Sequence, residues 1–305
     1  MTKTLRNSQS AEFLAERTSV IDQLAQIVLP SVPRTSRPAV EAQFVRALFI
    51  SDLHLGSKGC RAPDLISFLR QYRTNHLYLV GDVFDTWRPM GQNWTRDHDE
   101  VVRAFLDMYR AGAKLTYLPG NHDALFHRFH GDHFGAVTIT PQAIHTTANG
   151  RRLLVIHGES CDVFADRAPW LARIGATLES GMRCIHHGIN QLLTRAGRPG
   201  WDGIEDVVNI VTKALRKYDR FEERLASLAR SNGVDGIVCG HFHQPALHHD
   251  FGVTYANCGD WVENQTAIVE AEDGSLSLID WACTTAGAGA IYPDAGQEEG
   301  LAAAN

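Results

Sequence analysis

Thiols are few in this chain and none are clustered. Its six cysteines, Cys60, Cys161, Cys184, Cys239, Cys258 and Cys283, form no Cys-x-x-Cys pair. That argues against a structural zinc knuckle. With no secretory pattern ahead of them, they are expected to be reduced thiols of a cytosolic protein. No apolar run of signal-peptide type opens the sequence, and none approaches the roughly 20 residues of a membrane span. A soluble, cytoplasmic protein is expected, with at most peripheral contact at the inner membrane. Positive charge is also short: 29 Lys and Arg stand against 35 Asp and Glu, a net charge of -6. A general nucleic-acid binder would usually be basic, so no nucleic-acid partner is expected. An anionic substrate stays open, because bound cations invert the local potential. No internal repeat is present.

A chain of 305 residues can bury a substantial core. Residues 1–42 read as a helical extension and linker. Phe13, Leu14, Val20, Ile21, Leu24, Ile27 and Val28 fall at helical spacing until Pro30, and Pro33 and Pro38 follow. Buried strands are expected over 45–50, 77–80 and 114–118, separated by helices over 63–72 and 99–109. That alternation signals an α/β chain with a mainly parallel sheet. Strands over 139–144 and 152–156 flank Asn149-Gly150, a hairpin turn. From about 160 to 234 the pattern turns helical in two long runs, which read as a lid inserted into the domain. Strands return over 236–239, 253–257, 266–270 and 276–281. Residues 286–305 are Ala- and Gly-rich with acidic residues and are expected to be a disordered tail.

Five polar clusters follow strand-like runs: Asp52-Leu-His54, Gly81-Asp82, Gly120-Asn-His-Asp123, His157-Gly158 and Gly240-His-Phe-His243. In open α/β sheets, ligand sites assemble at those carboxyl ends. Together the clusters supply seven plausible oxygen and nitrogen ligands, Asp52, His54, Asp82, Asn121, His157, His241 and His243. That is enough for two adjacent divalent cations, with the Asp82 carboxylate as the candidate bridge. Carboxylate, imidazole and amide oxygen suit Mn²⁺, Fe²⁺ or Zn²⁺. Two such ions about 4 Å apart clamp the attacking and departing oxygens of a phosphoryl displacement. A phosphate-containing small molecule is therefore the expected substrate.

The order Asp-x-His, Gly-Asp, Gly-Asn-His-Asp, His-Gly, Gly-His-x-His resembles the calcineurin-like metallophosphoesterase family over residues 45–285. The resemblance implies an α+β, four-layer αββα sandwich of two mixed sheets, with a helical lid. It implies that Asp52, His54, Asp82 and His243 hold one metal, most simply Mn²⁺. Asp82 would bridge to a second, completed by Asn121, His157 and His241. His122 would contact the phosphoryl oxygens or protonate the leaving oxygen, with Asp123 orienting its imidazole.

Within that family, Asp52-Leu-His-Leu-Gly56, Gly81-Asp-Val-Phe-Asp-Thr-Trp87 and the helical insertion resemble the UDP-2,3-diacylglucosamine pyrophosphohydrolases of lipid A synthesis. That group implies an acylated nucleotide sugar as substrate, cleaved to UMP and a lipid sugar 1-phosphate. It carries Arg where this chain has His122, and His-Gly-Asp where this chain has His157-Gly-Glu159. Lys213 and Lys217, with Arg216 and Arg220, either meet a diphosphate or form a solvated helix face. Trp87 and Asp85 are expected to shape the pocket wall. The alternatives are a phosphatase or phosphodiesterase for a soluble nucleotide or sugar phosphate, and a metal-free scaffold.

Overall fold

The computed structural model describes residues 42–87, 93–131, 133–134, 137–161, 220–283 and 290–294. The expected amino-terminal helix, most of the expected lid with Lys213 and Lys217, and the last eleven residues lie outside these.

Two mixed sheets form the centre. The larger has the order β13-β12-β11-β1-β2-β3-β5-β4 and the smaller β6-β7-β8-β10-β9. In the first, β1 (Gln43–Ile50), β2 (Tyr72–Val80), β3 (Lys114–Leu118) and β5 (Val137–Ile139) run parallel. The short β4 (His133–Phe134) closes one edge. The antiparallel β11 (Thr266–Glu270), β12 (Leu276–Asp280) and β13 (Ala290–Pro293) extend the other. In the second sheet β7 (Arg152–Ile156), β8 (Gly236–Cys239) and β10 (Thr254–Asn257) are parallel. Antiparallel β6 (Gln142–Thr146) and β9 (Ala246–His248) flank them.

Three apolar clusters show how the layers stack. Helices α1 (Ala62–Leu69) and α2 (Arg96–Arg110) cover the outer face of the large sheet. There Phe68, Leu65, Val101 and Phe105 pack with Leu48, Leu77 and Trp261. Pro63 opens α1, where its missing N–H costs nothing. Asp97 and Asp99 in the first turn of α2 suit its positive end. Between the sheets lie Phe49, Tyr78, Val80, Leu118, Val155, Val238 and Ile268. Helix α3 (Phe221–Ser231) covers the small sheet, burying Phe221 and Leu225 against Ile156, Ile237 and Tyr255. The described residues therefore form the αββα sandwich, with mixed rather than purely parallel sheets.

Four local expectations change. Strand β2 starts at Tyr72, within the expected helix over 63–72. Tyr72 and Thr74 are buried while Arg73 and Asn75 are exposed, an alternation that carries no apolar run and so reads weakly. The expected strand over 139–144 is two strands in different sheets, split at Thr140-Pro141, where proline has no N–H for a ladder. Phe221, Leu225 and Leu228, assigned to the lid insertion, belong to α3 and the core of the small sheet. Within the expected tail, residues 290–293 are an ordered edge strand. Asp294 beyond it accepts from Arg151 Nη1 at 3.2 Å and lies 2.6 Å from His249 Nε2.

A polar network stitches the two sheets together. Glu270 accepts from Arg46 Nη1 and the Ala148 amide, and pairs with His145 Nε2 at 2.7 Å. Nearby, His76 stacks on Tyr78 at 3.9 Å and meets the Thr116 hydroxyl at 2.8 Å. Burial, reinforced by His145 and Lys114, holds the His76 imidazole down at about 4. Below its ordinary value the unfolded chain takes up a proton that the fold refuses. This contribution to stability is complete above about pH 6.5 and is lost as pH falls toward 4. The melting temperature is expected to drop between pH 7 and 5, and to drop less in a His76→Gln variant. Identical slopes would refute the assignment.

Candidate metal centre

Backbone pairing brings the first two clusters together. The amides of Asp52, His54 and Leu55 donate to the carbonyls of Gly81, Asp82 and Val83, so the loops after β1 and β2 run as one ribbon. Holding side chains inward from that ribbon bends the chain into left-handed conformations. Among the described residues, the non-glycine residues with positive φ are Asp52, His54, Asp82, Arg220, His241, His243 and Gln265. Five of these seven are expected ligands. Such backbones cost about 1 kcal/mol or more each and persist only where surrounding structure holds them. Strain therefore concentrates at the sequence-predicted site.

The donors converge at the carboxyl ends of β1, β2, β3, β7 and β8. Asp52 Oδ2 accepts from the Ser51 hydroxyl and the His241 amide. Its Oδ1 is buried without a hydrogen-bond partner, 3.2 Å from His243 Nε2 and 3.9 Å from His54 Nε2. Asp82 Oδ1 accepts from the His122 amide at 2.8 Å and lies 3.5 Å from His157 Nε2. Its Oδ2 lies 4.0 Å from His54 Nε2. His157 donates its Nδ1 proton to the Val80 carbonyl at 2.9 Å, which turns Nε2 toward the site. That Nε2 and Asn121 Oδ1 are also buried without partners. The His241 ring packs edge-on to His157 at 5.2 Å.

Three overlapping groups, Asp52-His54-His243, His54-Asp82-His122 and Asp52-Asp82-His157, each bring ligand atoms within 4.8 Å of one another. The unpartnered Asp52 Oδ1 and His157 Nε2, on residues that fall in one of these groups, are what a cation would satisfy. The electrostatics agree. Burial works to raise the Asp52 carboxyl, yet His243 and His157 outweigh it and hold it at about 2. Burial likewise opposes ionisation of Asp82, and His157 overcomes it. In return, and against the effect of burial, Asp52 lifts His243 to about 9, and Asp82 and Asp52 raise His157. His54 goes the other way, to about 4, chiefly through burial. Imidazolium protons thus balance the paired carboxylates, and cations can replace them there. The donor set fits two divalent ions.

One expected role is corrected. Asp123 does not orient the His122 imidazole. Its carboxylate is fully buried and accepts from the amides of Val83, Phe84 and Gly120 and from the Tyr117 hydroxyl. It ties the loop after β3 to the loop after β2. The group beside His122 Nδ1 is Asp85, at 3.3 Å. Trp87, expected in the pocket wall, stacks on His122 at 3.6 Å. Asp260 was missed. It is buried, lies 3.8 Å from His243 Nδ1, and caps the turn at Val262 and Glu263. Gly259-Asp260 after β10 repeats the Gly-Asp pattern of Gly81-Asp82, a signal that could have found it.

A family model for calcineurin-like phosphoesterases matches residues 45–245, covering each of the five clusters. The chain belongs to that family. It is a metal-dependent phosphoester hydrolase. A UDP-2,3-diacylglucosamine hydrolase of Edwardsiella ictaluri is 27% identical over 207 residues, 66% of this chain and 77% of that protein. One from Vibrio cholerae is 25% identical over 256 residues, 77% of this chain and 97% of the relative. Among solved structures, an E. coli phosphoesterase superposes with a TM-score of 0.41 at 13% identity, covering 80% of this chain and 95% of that one. No helix among the described residues is long and apolar enough to cross a membrane.

In this phosphoesterase the site depends on close approach at Gly120. A Cβ there would collide with the Asp82 carboxylate and the His157 imidazole. Gly120→Ala is expected to fold, by unchanged far-UV circular dichroism, yet lose metal affinity by about 10–100-fold, the usual effect of disturbing ligand support. Wild-type metal content by elemental analysis would refute this.

Proposed function

We propose that this phosphoesterase hydrolyses the diphosphate of an acylated nucleotide sugar, UDP-2,3-diacylglucosamine or a close chemical relative, with two Mn²⁺ ions. The convergence of buried Asp52, Asp82, His54 and His157 with half-buried His243 carries the metal assignment, and the Asn121 side-chain oxygen is buried without a hydrogen-bond partner. Asp52, His54, Asp82 and His243 would hold one ion. Asp82, with Asn121, His157 and His241, would hold the second. Fe²⁺ and Zn²⁺ suit the same donor types. The substrate assignment is supported by relatives named UDP-2,3-diacylglucosamine hydrolase and by the Gly81–Trp87 motif. When bound, the ions supply Lewis acidity and acidify water near neutral pH.

The chain's own groups do the rest. Asp85 engages His122 Nδ1, which leaves Nε2 for a phosphoryl or leaving oxygen. The backbone amide of His122 holds Asp82 Oδ1 in place. Water supplies the oxygen that joins one phosphate, the P–O–P bridge breaks, and the departing phosphate oxygen takes the proton. No side chain becomes covalently attached.

Incubation with UDP-2,3-diacylglucosamine and Mn²⁺ is expected to release UMP and the lipid sugar 1-phosphate, read by mass spectrometry. If that substrate is inert while simple nucleotide or sugar phosphates turn over, the substrate is a soluble phosphate. Two variants separate the roles. Asp82→Ala is expected to lose metal and activity together. His122→Ala should keep its metal and lose about 100-fold or more in kcat, the range for a proton-transferring side chain. Metal loss in the His122 variant would overturn the division.

A further inference from the structure

Three consecutive residues after β2 grip the Asn121-His122 pair. Asp85 Oδ1 lies 3.3 Å from His122 Nδ1. The Thr86 amide donates to the His122 carbonyl at 3.1 Å, and the Thr86 hydroxyl donates to the same oxygen. Trp87 Nε1 donates to the Asn121 carbonyl at 2.9 Å. The Trp87 ring then lies over the His122 imidazole, 3.6 Å between centroids and 17° between planes. His54 also meets the imidazole, with ring centroids 4.6 Å apart and planes at 85°.

A single contact at Nδ1 fixes one atom of an imidazole but not its plane, and 3.3 Å is a long contact. The ring can still tilt about that point. The indole stacked 3.6 Å away sets the plane, and the edge-on His54 imidazole adds a second ring contact. The indole is itself anchored to the backbone next to His122, so the two rings move as one unit. Misplacement of a reacting group by about 1 Å can cost about 100-fold in rate.

We propose that Trp87 is a positioning residue for the hydrolysis. By stacking on His122 and anchoring Asn121 it sets the plane in which His122 Nε2 meets the leaving oxygen. This rests on the reading of His122 as the group that serves that oxygen, and the test separates the two.

The test uses Trp87→Leu, Trp87→Phe, His122→Ala and the Trp87→Leu/His122→Ala pair, each loaded with Zn²⁺. Phenyl and 4-nitrophenyl esters of one nucleoside phosphate are the substrates, because only the poorer leaving group depends strongly on proton donation. Trp87→Leu is expected to lower kcat about tenfold more on the phenyl ester than on the 4-nitrophenyl ester, with little change in KM. Trp87→Phe, which keeps a stacked ring, should recover most of that loss. In the His122→Ala background, Trp87→Leu should have no further effect on the phenyl ester.

Independently of activity, the His122 imidazole protons should carry an upfield NMR shift from the indole ring current, lost in Trp87→Leu. Equal losses on both esters would overturn the proposal. So would an undiminished Trp87 effect without His122, or unchanged His122 resonances. If His122→Ala affects both esters alike, the role of His122 falls, and the NMR comparison alone decides whether Trp87 positions the ring.

Discussion

Two buried carboxylates set the terms for the rest of the structure. Asp52 and Asp82 are almost wholly removed from solvent and share His54 between them. Burying one unpaired charge is costly, and burying two of like sign more so. The chain meets that demand with several imidazoles, with donors from Ser51 and the His241 and His122 amides, and with ligand groups that could hold a cation. The same demand accounts for the unpartnered atoms of Asp52 and His157. A site so arranged is unfavourable alone and favourable with divalent metal, which couples its order to loading.

The αββα sandwich supplies the rigidity such a site needs. Parallel strands in both sheets deliver their carboxyl ends to one place, and the loops after β1 and β2 are hydrogen-bonded to each other. Asp123 performs the same service between the loops after β2 and β3. Burial and the charge of Asp82 raise its carboxyl, so its four donors are what keep it in place. The aspartate in the Gly-Asn-His-Asp cluster is thus a brace, and Asp85, three residues after Asp82, is the partner of His122.

Much of the fold was legible because burial leaves a periodic trace. Strands 114–118, 152–156, 236–239 and 266–270 are found where the apolar runs place them. Where the trace failed, polar residues occupied the exposed side of a strand, as in Tyr72–Val80. Elsewhere a helix stripe belonged to the core rather than to an insertion, as at Phe221 and Leu225. Strand Ala290–Pro293 escaped notice because it is four residues long within an Ala- and Gly-rich stretch, and its pairing with β12 is what defines it.

By itself, the sequence determined which donors are present and that each follows a strand. Residue chemistry and local periodicity are properties of neighbours along the chain. Only the tertiary structure decided which donor faces which. It assigned His122 to Asp85 and Trp87 rather than to Asp123, and it brought Asp260 beside His243. Adjacent residues on a tight turn can point to opposite sides, and that direction is set by packing between segments far apart in sequence.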